Sequence, residues 1–394
     1  MKMRRLAGTV KHYTWGSVDT LPKLLGQQPN GLPWAECRFG THHTSEAALD
    51  DGTPLSRHLR ENPHLLGGSS LETFGPQLSY VVKLMAPETP LSLQAHPSRE
   101  HAVKGYAQEA LFGYPLDHPE RCYVDDWPKP ELTVALTPFE GLVGFRDPVK
   151  TAGLFEGLGV AKELTSVIGP LRDRVETLAL EEVFLDVLTI NRRRHLVDVV
   201  LAAAVENLDA PGELGRFAKT AVDLDEHFPG DPGILGALLL NHVTLQPGEG
   251  IALQPGVMHS YLRGTAIEVT GASDNTIRGG LTQKRIDVDG LIRVVDFRPT
   301  EPQILTPDGS DGAYLYRTCF AEFEFWLVSP VGSRFVEIPR DDGARIAIAT
   351  EGNFELSAEE TVLELRQGQA ALLTAGETVH ARGTGRLYIA ASGT

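Results

Sequence analysis

Four separated stretches carry the side chains best suited to chemistry. Leu91-Ser-Leu-Gln-Ala-His-Pro97 offers Gln94 and His96, and Lys129-Pro-Glu131 offers an amine and a carboxylate. Met258-His-Ser-Tyr261 adds a second imidazole at His259, and Asp274-Asn-Thr-Ile-Arg278 ends in a guanidinium. Two imidazoles, one carboxylate and one amide oxygen make a mixed nitrogen and oxygen donor set. Such a set suits zinc with a position left open for water or substrate, and manganese, iron or cobalt less selectively. A closed structural zinc site would draw on thiolates. The three cysteines, Cys37, Cys122 and Cys319, are far apart and form no CxxC pair. Spacing alone leaves open whether the four donors converge, because a Gln-His pair on a strand is often structural.

The elements that must position these groups can be read from periodicity. Leu91 to Pro97 alternates with period two, so Ser92, Gln94 and His96 share one face of an expected strand that Pro97 stops. An extended Lys129-Pro-Glu131 puts its lysine and carboxylate on one face. His259 follows a Gly-rich turn, Leu253-Gln-Pro-Gly256, a rim position from which a ligand can be presented. Residues 1 to about 150 are rich in strands and turns, including Tyr80–Met85 and Leu132–Leu136. Residues 151–240 have helical spacing, as in Val183–Leu188 and His195–Ala204, and the strand-and-turn style then returns. A weak repeat relates Leu245–His259 to Leu365–His380, which suggests two related antiparallel sandwiches of jelly-roll type. The second copy lacks an upstream QxH or KPE and is expected to hold no metal.

Cationic side chains around these motifs could bind an anion. Arg278 precedes Gly279 and Gly280, whose missing side chains would allow close approach of a ligand to the backbone. Lys83, Lys129 and Lys284 could join it as charge-assisted partners of a phosphate. Lys83 and Glu268 each interrupt an apolar strand; Lys83 is either outward-facing or functional, and Glu268 is read as facing a polar cavity. The Arg192-Arg-Arg194 run reads as a solvated helix face, and His42 and His43 as ordinary histidines.

The chain has 394 residues and a formal charge of −16, from 36 Lys and Arg against 52 Asp and Glu. That balance disfavours nucleic acid and anionic membranes as partners but leaves a local anion site possible. No stretch approaches the roughly 20 apolar residues of a membrane helix. The N-terminal residues lack the apolar run of a signal peptide, and the expectation is a reducing, cytoplasmic location with buried, inert thiols. There is no GxGxxG, P-loop, GxSxG or HExxH.

Together the motifs resemble the type I phosphomannose isomerases, the zinc-dependent, cupin-type mannose-6-phosphate isomerase family. His12-Tyr-Thr-Trp-Gly-Ser17 is similar to the family's YxWGS opening, and Ala35-Glu36 with Gly40 to its next block. Leu91–Pro97 resembles PLSIQVHP, Lys129-Pro-Glu131 resembles HKPE, and Pro247-Gly-Glu249 with Met258-His-Ser-Tyr261 resembles PGE…PHAY. Ala266–Thr282 resembles ALEVMANSDNVLRAGLT. The departures are Ala95 for Val, Met258 for Pro, and Trp127-Pro128 before Lys129 where the family often has His. The part beyond about residue 300 carries little diagnostic sequence.

The resemblance implies a mainly β fold with two jelly-roll domains and an inserted helical domain. The catalytic jelly roll would comprise 1–150 and 241–300, the helical domain 151–240, and a metal-free C-terminal jelly roll 301–394. It implies one Zn2+ per chain on Gln94, His96, Glu131 and His259. Arg278 and Lys129 would be catalytic, with Ser92, Lys83, Tyr261, Glu268, Asp274 and Lys284 lining the substrate pocket. The implied reaction interconverts mannose 6-phosphate and fructose 6-phosphate by proton transfer between C1 and C2 through an enediolate. Lys129, Glu268 and zinc-bound water are all candidates for the base. A monomer is expected, with a small sugar phosphate as partner and neither nucleic acid nor membrane. The alternatives are a metal-dependent oxygenase on the same barrel type and a non-catalytic sugar-phosphate sensor.

Overall fold

The alternation read from the strands separates apolar from polar side chains, and the layers follow from it. The computed structural model describes residues 3–118, 120–189, 194–332, 334–340, 342–359 and 361–394. The fold is mainly β. A seven-stranded antiparallel sheet runs Ile304–Leu305, Gly250–Leu253, Glu131–Ala135, Ala266–Gly271, Tyr80–Met85, Glu36–Phe39 and Thr9–Lys11. A five-stranded sheet runs Ile277–Gly280, Leu93–Ala95, His259–Arg263, Phe139–Phe145 and Leu240–Leu245. The strands from Asp308–Ser310 to His380–Ala391 form a third sheet, which takes in Arg4–Ala7 and Ala48–Leu49 from the N-terminal part. Arg4–Ala7 pairs with Ala370–Leu373, so the start of the chain is stitched to its C-terminal part.

Tyr80–Met85 illustrates how the strands sort their side chains. Tyr80, Val82 and Leu84 point into an apolar cluster shared with Ile346, Ile348 and Tyr388 of the third sheet. The intervening Val81, Lys83 and Met85 take the opposite face. That opposite face meets the five-stranded sheet. Met85, Ala135, Ile251 and Ala266 from one sheet join Phe139, Val143, Leu245 and Tyr261 from the other in a single buried cluster. The two sheets therefore pack face to face, with the polar positions of both buried between them.

Six helices among the described residues, from Pro148–Gly157 to Gly233–Leu238, lie between Phe139–Phe145 and Leu240–Leu245 in sequence. These two strands nevertheless pair with each other, Phe139 opposite Leu245 and Gly141 opposite Val243. Asp147 caps the first helix by accepting from the Lys150 amide, and Pro148 stands at its first turn. Leu180, Val183, Phe184 and Val187 form an apolar stripe on the Glu176–Thr189 helix. The stripe packs on Leu93, Ala95, Leu142 and Ile277, the outer face of the five-stranded sheet.

The repeat has a structural counterpart. Leu240–Leu245, Gly250–Leu253 and His259–Arg263 follow one another as Thr361–Arg366, Ala370–Leu373 and His380–Ala391 do, with short connections of similar but unequal length. Two expectations are corrected. Regular pairing around Gln94 covers only Leu93–Ala95, so His96 lies just past the strand and its position is set by other contacts. Cys37 and Cys122 are buried, but the Cys319 thiol is exposed, because it sits in the loop after the Ala313–Tyr316 strand. Arg192 and Arg193 lie outside the described residues, as does the side chain of Arg194. Among the described residues, no helix is long and apolar enough to cross a membrane.

Candidate active site and metal centre

Strand register brings the first groups together. His259 is paired opposite Gln94, and Gln94 is paired opposite Arg278 on its other side. Directly paired residues of antiparallel strands point to the same face, a few ångströms apart. The amide, imidazole and guanidinium thus form one row on the inner face of the five-stranded sheet. Glu131 opens the Glu131–Ala135 strand of the facing sheet. The turn before His259 is fixed by Gly256, whose φ of +90° suits glycine, and its N–H donates to the His96 carbonyl at 2.8 Å.

The candidate ligand atoms of His96, Glu131 and His259 lie within 4.8 Å of one another, and all three residues are buried. His96 Nε2 is 3.2 Å from Glu131 Oε1, and His259 Nε2 is 3.4 Å from Glu131 Oε2. Each ring uses its other nitrogen to donate to a backbone carbonyl: Asn275 O at 2.7 Å for His96 and Val257 O at 3.0 Å for His259. These partners select the Nδ1–H tautomer and leave Nε2 as a bare lone pair. His259 Nε2 and Glu131 Oε2 have no hydrogen-bond partner. Two buried acceptors therefore face each other. That arrangement is unfavourable for the protein alone and is satisfied by a cation between them. The donor set fits a divalent metal such as zinc.

The electrostatics agree with this tautomer. Burial pushes the His259 imidazole down to about 4, against the pull of Glu131. Burial alone would raise the Glu131 carboxyl, but Lys129, His96 and His259 outweigh it and hold the group well below its usual range. Lys129 Nζ stands 3.1 Å from Glu131 Oε1 and 3.3 Å from His96 Nε2.

A second row crosses the inner face of the seven-stranded sheet. Arg38 is opposite Lys83, Lys83 opposite Glu268, and Glu268 opposite Thr133. Lys83 Nζ donates to Glu268 Oε2 at 2.7 Å, and Thr133 Oγ1 donates to Glu268 Oε1 at 3.1 Å. The Tyr261 hydroxyl lies 2.7 Å from Thr133 Oγ1. Burial would lower the Lys83 amine, but Glu268, with Glu36 and Glu131 behind it, outweighs burial and keeps it charged. Arg38 pairs with Glu36 beside it and reaches Asp274 Oδ2 at 3.3 Å. Burial would raise the Asp274 carboxyl, yet Arg38, Lys129, Lys83 and His42 hold it well below its usual range.

A family model for phosphomannose isomerase type I, catalytic domain, matches residues 3–148. The mannose-6-phosphate isomerase of Salmonella typhimurium is 32% identical over an alignment covering 98% of each chain. The human mannose-6-phosphate isomerase is 29% identical, with 95% of this chain and 94% of its own covered. The chain belongs to the mannose-6-phosphate isomerase family. A crystal structure of a mannose 6-phosphate isomerase bound with zinc and yttrium superposes with a TM-score of 0.89 at 31% identity, over 100% of both chains.

Within this family member, the sequence-derived residues fall into three groups. His96, Glu131, His259 and Lys129 meet between the two sheets, Gln94 and Arg278 share the register row of His259, and Lys83, Glu268 and Thr133 of the facing sheet form a hydrogen-bonded chain with Tyr261. Asp274 and Lys284 lie near Arg278; Lys284 is exposed, and its ammonium is disfavoured first by Arg278 and then by partial burial. Burial likewise lowers the Arg278 guanidinium, with Cys122 and Asp274 opposing. Ser92 is half-buried, one residue before the Leu93–Ala95 strand.

Gly279 and Gly280 do not leave room for a ligand. A Cβ on Gly279 would meet Phe184 and Met258 at 2.9 and 3.0 Å, and one on Gly280 would meet Gly233 Cα at 2.7 Å. These glycines let the helices close onto the strand that carries Arg278. The sequence reading passed over Arg38, Thr133, Asn275 and the His42–Asp125 pair, which are 3.3 Å apart. Arg38 was detectable, because it alternates with Glu36 in the short Glu36–Phe39 strand, two opposite charges on one face.

Proposed function

We propose that this protein is a zinc-dependent aldose-ketose isomerase that interconverts mannose 6-phosphate and fructose 6-phosphate. The observation that carries the reading is the facing pair of bare acceptors, His259 Nε2 and Glu131 Oε2, inside a buried cluster flanked by cations. His96, Glu131 and His259, with Gln94 beside them, would hold the metal. Bound there, zinc supplies Lewis-acid stabilisation for the charge that develops on the sugar oxygens as the enediolate forms. The full-length similarity to named isomerases supports this reading over the oxygenase or the sensor.

The chain's own residues supply the remaining steps. Arg278, fixed in register next to Gln94, and Lys284 at the rim present positive charge to the phosphate or enediolate, and the guanidinium stays protonated throughout. Lys129 carries the proton between C1 and C2, its amine held against Glu131 and His96. Glu268 is held by Lys83 and Thr133 and orients sugar hydroxyls together with Tyr261, while Asp274 and Ser92 complete the pocket. The two face-to-face sheets support a catalytic jelly roll of residues 1–150 and 241–300, with 151–240 as the helical insertion. The repeat supports a second, metal-free jelly roll at 301–394. A cytoplasmic monomer acting on a small sugar phosphate fits the acidic composition.

The test compares Glu131→Ala with Arg278→Ala. Metal analysis should find zinc lost from the first and retained in the second, and both should fail to form fructose 6-phosphate in a chelator-sensitive assay. Isomerase rates like those of the parent in both variants would end the reading.

A further inference from the structure

Asn275 is fully buried on the loop between the Ala266–Gly271 and Ile277–Gly280 strands. Its backbone carbonyl is the acceptor that orients the His96 ring, at 2.7 Å. Its side chain is committed elsewhere. Oδ1 accepts from the amides of Val124 and Asp125 at 2.8 and 3.2 Å. Nδ2 donates to the carbonyls of Asp125 and Trp127 at 2.9 and 3.0 Å and to Asp125 Oδ1 at 3.1 Å. Two amides can meet only an oxygen and two carbonyls only an NH2, so these partners fix which way the amide points. Asp125 closes the clamp, its Oδ2 accepting from the Asp274 amide at 3.1 Å.

The segment clamped in this way runs into Lys129-Pro-Glu131. Trp127 is two residues before Lys129, and Pro128 and Pro130 leave the backbone between little freedom. One residue therefore joins the His96 ring to the stretch that delivers Lys129 and Glu131, although these groups are distant in sequence. We propose that Asn275 is a positioning residue of the metal centre, setting His96 and Glu131 in one frame before the metal arrives. The proposal rests on the metal reading above and extends it to a residue outside the candidate ligand set. Groups that orient metal ligands through hydrogen bonds typically change metal affinity by about 10- to 100-fold when removed.

Zinc affinity by chelator competition tests this in the full-length protein and three variants. Asn275→Ala should bind zinc about 10- to 100-fold more weakly. Asn275→Ser keeps a small hydroxyl able to accept or donate one of these hydrogen bonds and should fall between; it also serves if the alanine variant fails to fold. Tyr80→Phe is the control. The Tyr80 hydroxyl is buried 2.9 Å from Ala390 O and 3.1 Å from Ala344 O, on the face of its sheet turned away from the cluster. Its loss should lower the melting temperature and leave zinc affinity unchanged. Parental affinity in the Asn275 variants, or equal weakening in Tyr80→Phe, would overturn the proposal while the metal reading stands. A parent protein that binds no zinc would remove both.

Discussion

Lys83 and Glu268 stand directly opposite each other on adjacent antiparallel strands and close a 2.7 Å ion pair with almost no solvent exposure. Each lies in a strand that is otherwise apolar, and each would be a costly intrusion alone. Replacing either one with alanine should destabilise the fold by about 3–5 kcal/mol, because the remaining charge stays buried without its counterion. The double variant Lys83→Met, Glu268→Leu should recover most of that stability in urea unfolding while isomerase activity stays lost. Full recovery of turnover in the double variant would show that the pair is only structural.

Arg38 is enclosed by Glu36, Asp274 and Thr44. Arg38→Gln should raise the pKa of Asp274 and destabilise the fold, since buried Glu36 and half-buried Asp274 lose their shared cation. The double variant Glu36→Gln, Arg38→Gln should restore stability in part and leave a raised KM, because Asp274 is still unsupported. Steady-state kinetics beside thermal melts separate the two effects.

Burial pushes the Cys37 thiol up to about 12 and the Cys122 thiol up to about 11, while Cys319 is exposed and accepts from Gln254 Nε2 at 3.0 Å. The thiolate is the reactive form. Ellman's reagent at pH 8 should therefore titrate Cys319 quickly in the native protein and the other two only after unfolding. Cys319→Ser should abolish the fast phase.

Glu140 is held down to about 2, first by His242, whose Nε2 lies 3.4 Å from Glu140 Oε2, and then by Arg263, against partial burial. A carboxylate whose folded pKa is depressed contributes stability above its unfolded value near 4.5, and that contribution is lost as pH falls toward 2. Glu140→Gln should be less stable than the parent at pH 6, with the difference shrinking through this window. Urea midpoints at pH 6 and pH 3 check this; a gap independent of pH would contradict it.

Much of the site was legible because its residues break local patterns. Gln94 and His96 alternate with Leu93 and Ala95, Lys83 and Glu268 interrupt apolar strands, and His259 follows a glycine turn. Polar side chains in such places need a reason, and the motif order pointed to one family. The roles of Gly279 and Gly280 were misread because a glycine reports only that space is scarce, not what fills it. The end of regular pairing at Ala95 was misjudged because His96 is held by Asn275 and Gly256, which no local pattern reveals.

The sequence by itself determined which side chains alternate, where helices interrupt the strands, and which donors are offered, since these follow from local periodicity and residue chemistry. Only the tertiary structure decided that His259, Gln94 and Arg278 share one register row and that Glu131 faces them from the opposite sheet. Register and sheet packing are long-range hydrogen-bonding and burial choices, made between segments more than a hundred residues apart. The same is true of the bare nitrogen on each imidazole, which exists because a distant backbone carbonyl binds the other one.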